Sequence, residues 1–261
     1  MVPQVDALLR DSQASPAPRA PEGHDVYLSP HSDDTCFSLG VLAHRRRSGI
    51  HLTIFPYVRY VAKPGLDKTP DATTPLRMAE DMVFAARCGL QQRFLALADS
   101  DMLRIPRYKQ KSIAPCLART EPAVLGALAS LAKEHPSGMR PWLFCPMGIG
   151  GHMDHVATRL AVTRNLTKLS RNYRVAFYED LHYASNPEIR QAGLADFMQD
   201  ISGLPMRRVT LPLEQDAALK LSLLQGYPSQ FATLPPDIES FTPGLPDAPP
   251  HEALWTTEEW V

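Results

Sequence analysis

Short apolar runs alternate with longer stretches of helical spacing along most of the chain. "DVYLSP", from Asp25, predicts a strand. "TCFSLGVLAHRRRSG", from Thr35, carries apolar residues at helical spacing and closes on basic residues and Gly49, as a helix end does. The alternation then repeats. "HLTIFPYV", "RFLALAD", "PWLFCPMG" and "RVAFYEDLHY" predict strands; "TPLRMAEDMVFAARCGL", "EPAVLGALASLAKEHP" and "HVATRLAVTRNLTKLS" predict helices between them. Strands alternating with helices imply βαβ units and an α/β fold, an open, mainly parallel sheet with helices on both faces. Beyond Tyr183 the pattern fades: "AALKLSLLQGY" predicts one more helix, and "LPPDIESFTPGLPDAPPHEA" is rich enough in proline and polar residues to predict a loop.

At 261 residues the chain can bury one large core, and residues 23–261 are expected to form a single domain behind a flexible N-terminal tail, 1–22. Its 27 basic and 28 acidic residues leave a formal net charge of −1, so no general attraction to nucleic acid or an anionic membrane is expected. No apolar run reaches transmembrane length, and the N-terminus lacks the apolar core of a signal peptide, which predicts a cytoplasmic protein without a membrane span. Cys36, Cys88, Cys116 and Cys145 are widely spaced and form no CxxC pair, which predicts reduced, buried thiols. His44 and Arg45 to Arg47 predict a solvated helix end, and His24, His51, His135 and His251 have no motif around them and are expected at the surface or in loops.

The candidate chemistry sits where strands end. "SPHSDD" sets His31 beside the adjacent carboxylates Asp33 and Asp34 at the end of the first strand. Two such carboxylates repel each other and are costly to bury unless something positive sits with them. "GIGGHMDH" puts His152, Asp154 and His155 after the strand "WLFCPMG". Ligands of open α/β sheets bind outside the carboxyl ends of the strands, so both clusters are expected at one edge of one sheet. Taken singly, each also reads as a helix start, with Asp34 as a cap and Asp154 favouring the helix dipole; together they point to a shared site. Asp99 and Asp180 fall at other strand ends and are candidates to line the same pocket. Arg77 and Glu80, at i and i+3 of a helix, also read as a simple ion pair.

The pairing of "SPHSDD" with "GIGGHMDH" resembles the PIG-L/LmbE-like N-acetylglucosaminyl deacetylases, zinc enzymes on a Rossmann-like sheet that remove the acetyl group from N-acetylated amino sugars. "RMAEDMVFAARCGL" is similar to that family's Arg-x-x-Glu helix, "FYEDLHY" to its YED-x-P-Y segment, and "GYPSQ" adds a C-terminal match, so the resemblance runs from about Val26 to Trp255. Ser32 and Thr35 stand where many members have Pro and Glu, and His182 stands where the YED segment has Pro.

Carried over by position, the resemblance implies one Zn2+ per chain held by His31, Asp34 and His155, with Fe2+ or Co2+ able to satisfy the same donors. It implies Asp33 as general base, His152 as the group beside the oxyanion, which would join the ion in stabilising it if protonated, and Asp154 as the carboxylate that orients His152. Arg77 would reach the sugar hydroxyls, and His182 would touch substrate. The implied partner is a small amino-sugar conjugate, with self-association left open. Arg59 to Arg77 is the expected specificity loop. Two other readings use the same residues: a different hydrolase, a phosphoesterase or nucleotide binder using "GIGG" as an anion loop, and a catalytically silent sugar-binding module. The first lacks the Lys-Ser or Lys-Thr of a P-loop and any GxGxxG after a strand.

Overall fold

The first apolar run becomes a strand, β1 (Val26–Ser29), buried at every position, as are β2 (Ile50–Thr53) and β4 (Trp142–Pro146). Such continuous burial is what a parallel sheet covered on both faces imposes. The computed structural model describes residues 24–136, 138–233, 237–246 and 248–260; the expected tail, 1–22, lies outside them. With β3 (Gln91–Phe94), β5 (Arg174–Tyr178), β6 (Arg207–Pro212) and β7 (His251–Thr256), the strands form one seven-stranded sheet of order β3-β2-β1-β4-β5-β7-β6. The first five strands are parallel, and β7 runs antiparallel to both β5 and β6.

Helices α1 (Asp34–Arg46) and α2 (Pro70–Cys88) make the crossovers from β1 to β2 and β2 to β3. α3 (Ile113–Ala132) returns the chain to the centre, and α4 (Met153–Thr163) leads from β4 to β5. Right-handed crossovers that grow the sheet in opposite directions from its middle place α1 and α2 on one face and α4 on the other. α3 packs on α4, and α7 (Ala217–Leu224) packs on α1. The direction reverses between β1 and β4, so the crevice for a ligand opens at their carboxyl ends. Beneath it, Tyr27 stacks on Phe144 at 4.7 Å, and the buried Tyr178 hydroxyl donates to the Leu28 carbonyl at 2.8 Å. No helix among the described residues is long and apolar enough to cross a membrane.

Several expected boundaries move. α2 begins at Pro70 and α3 at Ile113, so Pro75 and Pro122 lie inside helices, although each resembles the proline of a first helical turn. The Arg59 to Arg77 loop therefore ends at Thr69, and its last part is helix. The helix expected through Ser170 breaks after Thr163, and a short α5 (Leu166–Leu169) follows. α6 (Pro187–Asp200), β6 and β7 carry no apolar pattern to announce them: only Gly193 and Phe197 of α6 are buried, and β6 is a half-exposed edge. The loop expected across residues 234–253 runs into β7 at His251. His51 and His251 are buried in strands, not at the surface; His51 Nδ1 meets Gln92 Oε1 at 2.6 Å, and His251 Nε2 meets Arg208 at 2.8 Å. The four cysteines are free and buried, as expected.

Candidate metal centre and cleft

At the end of β1, Ser29 Oγ accepts from the Thr35 backbone N–H at 3.1 Å and donates to the His31 carbonyl at 2.7 Å, closing a tight turn into α1. Asp33 sits at φ 108°, a sterically costly region for a residue with a Cβ, and such strain concentrates at functional sites. It occupies the N-cap position without making a side-chain cap bond. Asp34 Oδ2 accepts from the His31 backbone N–H at 2.7 Å. Neither carboxylate caps the helix, so the alternative reading of Asp34 as a cap does not describe it.

At the end of β4 the chain turns through "GIGG". Gly150 has φ +92°, and a Cβ there would stand 2.5 Å from the Tyr183 ring, so this position admits only glycine. The Ile149 N–H in this turn donates to Asp180 Oδ2 at 2.9 Å, which commits it to a carboxylate of the chain and leaves it unavailable for an anion. His152 is the N-cap of α4 and receives a long contact, 3.4 Å, from the Asp154 N–H at Nδ1.

The two turns bring three ligand-type atoms together. His31 Nδ1 is 3.2 Å from His155 Nε2; Asp34 Oδ2 is 3.2 Å from His155 Nε2 and 3.4 Å from His31 Nδ1. In a tetrahedral site with bonds of about 2.0–2.1 Å, neighbouring ligand atoms stand about 3.3–3.4 Å apart. The triangle therefore has the size that a small divalent ion requires, with a fourth direction open to the cleft. Ring nitrogens of His31, His152 and His155 also lie within 4.8 Å of one another, so His152 is a further candidate donor.

The outer nitrogens match this arrangement. His31 Nε2 donates to Asp154 Oδ2 at 3.1 Å, and His155 Nδ1 donates to Asp180 Oδ1 at 2.8 Å. A metal-binding histidine characteristically gives its other N–H to a carboxylate, which fixes the tautomer and aims the ligating nitrogen. Burial opposes charge on His31, but the hydrogen bonds to Asp154 and Asp34 raise its pKa to about 9. Burial likewise opposes charge on His155, which Asp34 and Asp180 hold well above the usual imidazole range. For Asp34, the two imidazoles overcome burial and hold the carboxyl well below its ordinary value. This cluster of acids calls for positive charge, which protons on the imidazoles or a divalent ion can supply, and metal binding would expel those protons.

Asp154 lies 3.9 Å from His152 Nδ1, too far for a hydrogen bond, and its Oδ2 instead serves His31 and the Ser100 N–H at 2.9 Å. It therefore orients His31, where the sequence had paired it with His152. Asp180 does not line the cleft: it is buried behind His155, with its oxygens taken by His155 and Ile149. Replacing Asp180 by Asn is expected to weaken metal binding by about 10- to 100-fold, the usual effect of losing such a partner. Competition with a chromophoric chelator measures it; an unchanged affinity would deny Asp180 this role.

Asp33 is paired with Arg77, whose Nη2 lies 2.9 Å from Oδ1 and also donates to the Ser32 carbonyl. Burial pushes Asp33 up to about 8 against the pull of Arg77, with Asp34 adding to the rise; a divalent cation beside it would bring the value down. The alternative reading of Arg77 and Glu80 as a simple ion pair does not describe them, since Arg77 pairs with Asp33. Glu80 instead accepts from the Ser229 N–H at 2.8 Å and the Ser229 hydroxyl at 2.6 Å, and Asp81 accepts from Tyr227 Oη at 2.9 Å. These bonds tie the "GYPSQ" segment to α2. Burial pushes Glu80 up to about 7 against the Ser229 bonds. The folded chain thus keeps a proton that the unfolded chain loses from about pH 4.3 upward, so stability falls as pH rises through that window. Glu80→Gln is expected to flatten this decline in thermal melts between pH 5 and pH 8; an unchanged slope would refute it.

The cleft above the triangle encloses about 240 Å³ and is lined by His31, Asp33, Asp34, Arg77, Asp99, His152, His155 and His182 among others. Asp99 is buried and accepts from the Met102 N–H at 2.7 Å. His182 stacks on Tyr183 at 4.7 Å. Tyr60, from the expected specificity loop, forms the rim with Arg107 and Tyr108, which no sequence motif marks: the Arg107 guanidinium lies 5.3 Å over Tyr60, and Tyr108 meets the edge of His152 at 5.6 Å. Their one sequence signal was position, in the segments that follow β2 and β3.

No protein-family model matches the sequence, and no curated protein matches it. Solved structures do share its fold. The A40926 pseudoaglycone deacetylase Dbv21 is 20% identical over 89% of this chain and 96% of its own, with a TM-score of 0.58. The zinc-inhibited form of teicoplanin deacetylase Orf2 is 17% identical over 89% and 97%, with a TM-score of 0.61. The N,N'-diacetylchitobiose deacetylase of Pyrococcus horikoshii, complexed with its inhibitor MPG, is 16% identical over 87% and 76%, with a TM-score of 0.50. At these identities the likeness is one of fold.

Proposed function

We propose that this chain is a metal-dependent N-deacetylase that hydrolyses the acetamide of an N-acetylglucosamine-type conjugate to free amine and acetate. The observation that carries the reading is the triangle of His31, Asp34 and His155 at the head of a cleft, with Asp33 beside it outside the ligand set. Zn2+ is the proposed ion because two imidazoles, one carboxylate and an open position suit a catalytic zinc. The Dbv21 and Pyrococcus horikoshii structures are both named deacetylases, and the second is named for a diacetylated chitobiose, which agrees with this reading.

An acetamide is a weak electrophile with a poor leaving group. When bound, the ion supplies a nucleophile by lowering the pKa of water to roughly 7 and polarises the carbonyl. Asp33 accepts the proton of the attacking water and returns it to the departing nitrogen; its pairing with Arg77 fixes the carboxylate for both transfers. His152 stands across the cleft. Its Nδ1 accepts from the Asp154 N–H, which leaves the hydrogen of the neutral ring on Nε2, and the residue lines the cleft. Burial, together with the charged His31 and His155, pushes its pKa down to about 2. His152 is the proposed donor to the developing oxyanion, through its ring N–H. Arg77, Asp99 and His182 remain the candidates to hold the sugar, since all three face the cleft.

Acetate release from a panel of N-acetylglucosaminides, by protein of known metal content, tests the reading. Acetate that appears with metal and disappears with a chelator is the expected result. Phosphate released from phosphoesters, with no acetate across the panel, would replace it.

A further inference from the structure

α1, the helix that begins on Asp34, is bent. Leu39 leaves the helical region at φ −133°, ψ 24°, dividing a first segment that carries Asp34 and Phe37 from a second that ends at Arg46. Leu39 stands between Ser38 and Gly40, a pairing at which helices bend readily, and side chains from two other elements enter the backbone ladder at the same place. In an unbroken helix the Val41 N–H donates to the Phe37 carbonyl, and the Gly40 N–H to that of Cys36. Here both carbonyls accept from Lys220 Nζ, at 2.6 Å and 3.1 Å, from α7. On the other side of the bend, Glu252 of β7 accepts the Val41 and Leu42 N–H groups, each at 2.9 Å. Lys220 Nζ and Glu252 Oε1 meet at 2.7 Å, and both residues are 0% exposed.

A cation thus serves the carbonyls and an anion serves the N–H groups at one break in one helix. Burying such a pair is costly, and apolar side chains of like volume often serve stability as well or better. The pair therefore calls for a reason besides stability. What it fixes is the direction of the first segment of α1, which starts from the strained Asp33, places Asp34 Oδ2 in the triangle and turns Phe37 to the cleft. The same segment is tied to the loop after β5, because Ser38 Oγ accepts from the Leu181 N–H at 3.1 Å.

We propose that Lys220 and Glu252 are positioning residues of the metal centre: by holding α1 bent at Leu39, they set where the carboxylates of Asp33 and Asp34 stand relative to His31 and His155. This inference rests on the reading of that triangle as a metal site.

The test is Co2+ binding, read as a Kd by competition and as the visible spectrum of the bound ion, alongside thermal melts. In Lys220→Met/Glu252→Leu, apolar residues replace both partners, so α1 is free to restore its own hydrogen bonds. The expected result is a folded protein whose Co2+ affinity falls tenfold or more and whose spectrum changes. Glu252→Gln keeps the shape but loses one acceptor, and is expected to weaken Co2+ binding several-fold; it decides the matter if the double variant does not fold. Phe197→Leu, at the buried Phe197 of α6 that packs on Phe177 of β5 at 5.0 Å, is the stability control and is expected to lower the melting temperature at unchanged Co2+ affinity. Parent affinity and spectrum in Glu252→Gln and in a folded double variant would overturn the positioning role. A parent protein that binds neither Co2+ nor Zn2+ would overturn the metal-site reading instead.

Discussion

Asp33→Asn is expected to lower kcat for acetamide hydrolysis by about 10²- to 10⁴-fold, the usual contribution of a positioned general base, while the protein still binds one metal ion per chain. Asn keeps the shape of Asp33 and can still accept from Arg77 Nη2, but it cannot take a proton. Metal content should hold because the triangle is closed by Asp34, not Asp33. KM should change far less than kcat. Steady-state kinetics with metal analysis of the same preparation checks both parts. Near-parent turnover would remove Asp33 from the proton transfers, and loss of the metal would make it a ligand.

His155→Ala should have the largest effect of all. It removes one corner of the triangle and strands two buried acids, because His155 serves Asp34 through Nε2 and Asp180 through Nδ1. Metal content is expected to fall to near zero and acetate release to background. Breaking a buried charge pair from one side typically costs about 3–5 kcal/mol, so a lower melting temperature should accompany the loss. His152→Ala forms the contrast, since it should retain the metal and lose turnover. A His155→Ala protein with full metal content would move the site toward His31 and His152.

The contrast shows which parts of the site were legible. His31, Asp33, Asp34, His152 and His155 could be placed together because each follows a strand whose apolar run is plain, and parallel strands deliver their carboxyl ends to one edge. Which carboxylate serves which imidazole was not legible. Asp154 is two residues from His152 in sequence yet bonds His31, because its fully buried Oδ2 is shared between the His31 ring and the Ser100 N–H. Asp180 likewise looked like a lining residue until the "GIGG" turn was seen to consume one of its oxygens.

The C-terminal third hid more. β7 carries Glu252 at its second position, fully buried, and an acidic residue there argues against a buried strand until its partners are known; they are Lys220 and two N–H groups of α1, far away in sequence. α6 has no apolar stripe, with Ile189 and Met198 exposed and only Gly193 and Phe197 buried; its start is fixed by Asn186, which accepts the N–H groups of Glu188 and Ile189 at 3.0 Å ahead of Pro187. The rim formed by Tyr60, Arg107 and Tyr108 belongs to loops, whose course depends on contacts and not on local pattern.

The most direct measurement is an anomalous difference map, recorded at the zinc edge from crystals of the zinc-loaded protein. The account predicts one peak per chain, about 2.0–2.2 Å from His31 Nδ1, His155 Nε2 and an Asp34 oxygen, with Asp33 and His152 outside bonding distance. A peak bonded to His152 in place of Asp34, or none between β1 and β4, would contradict it.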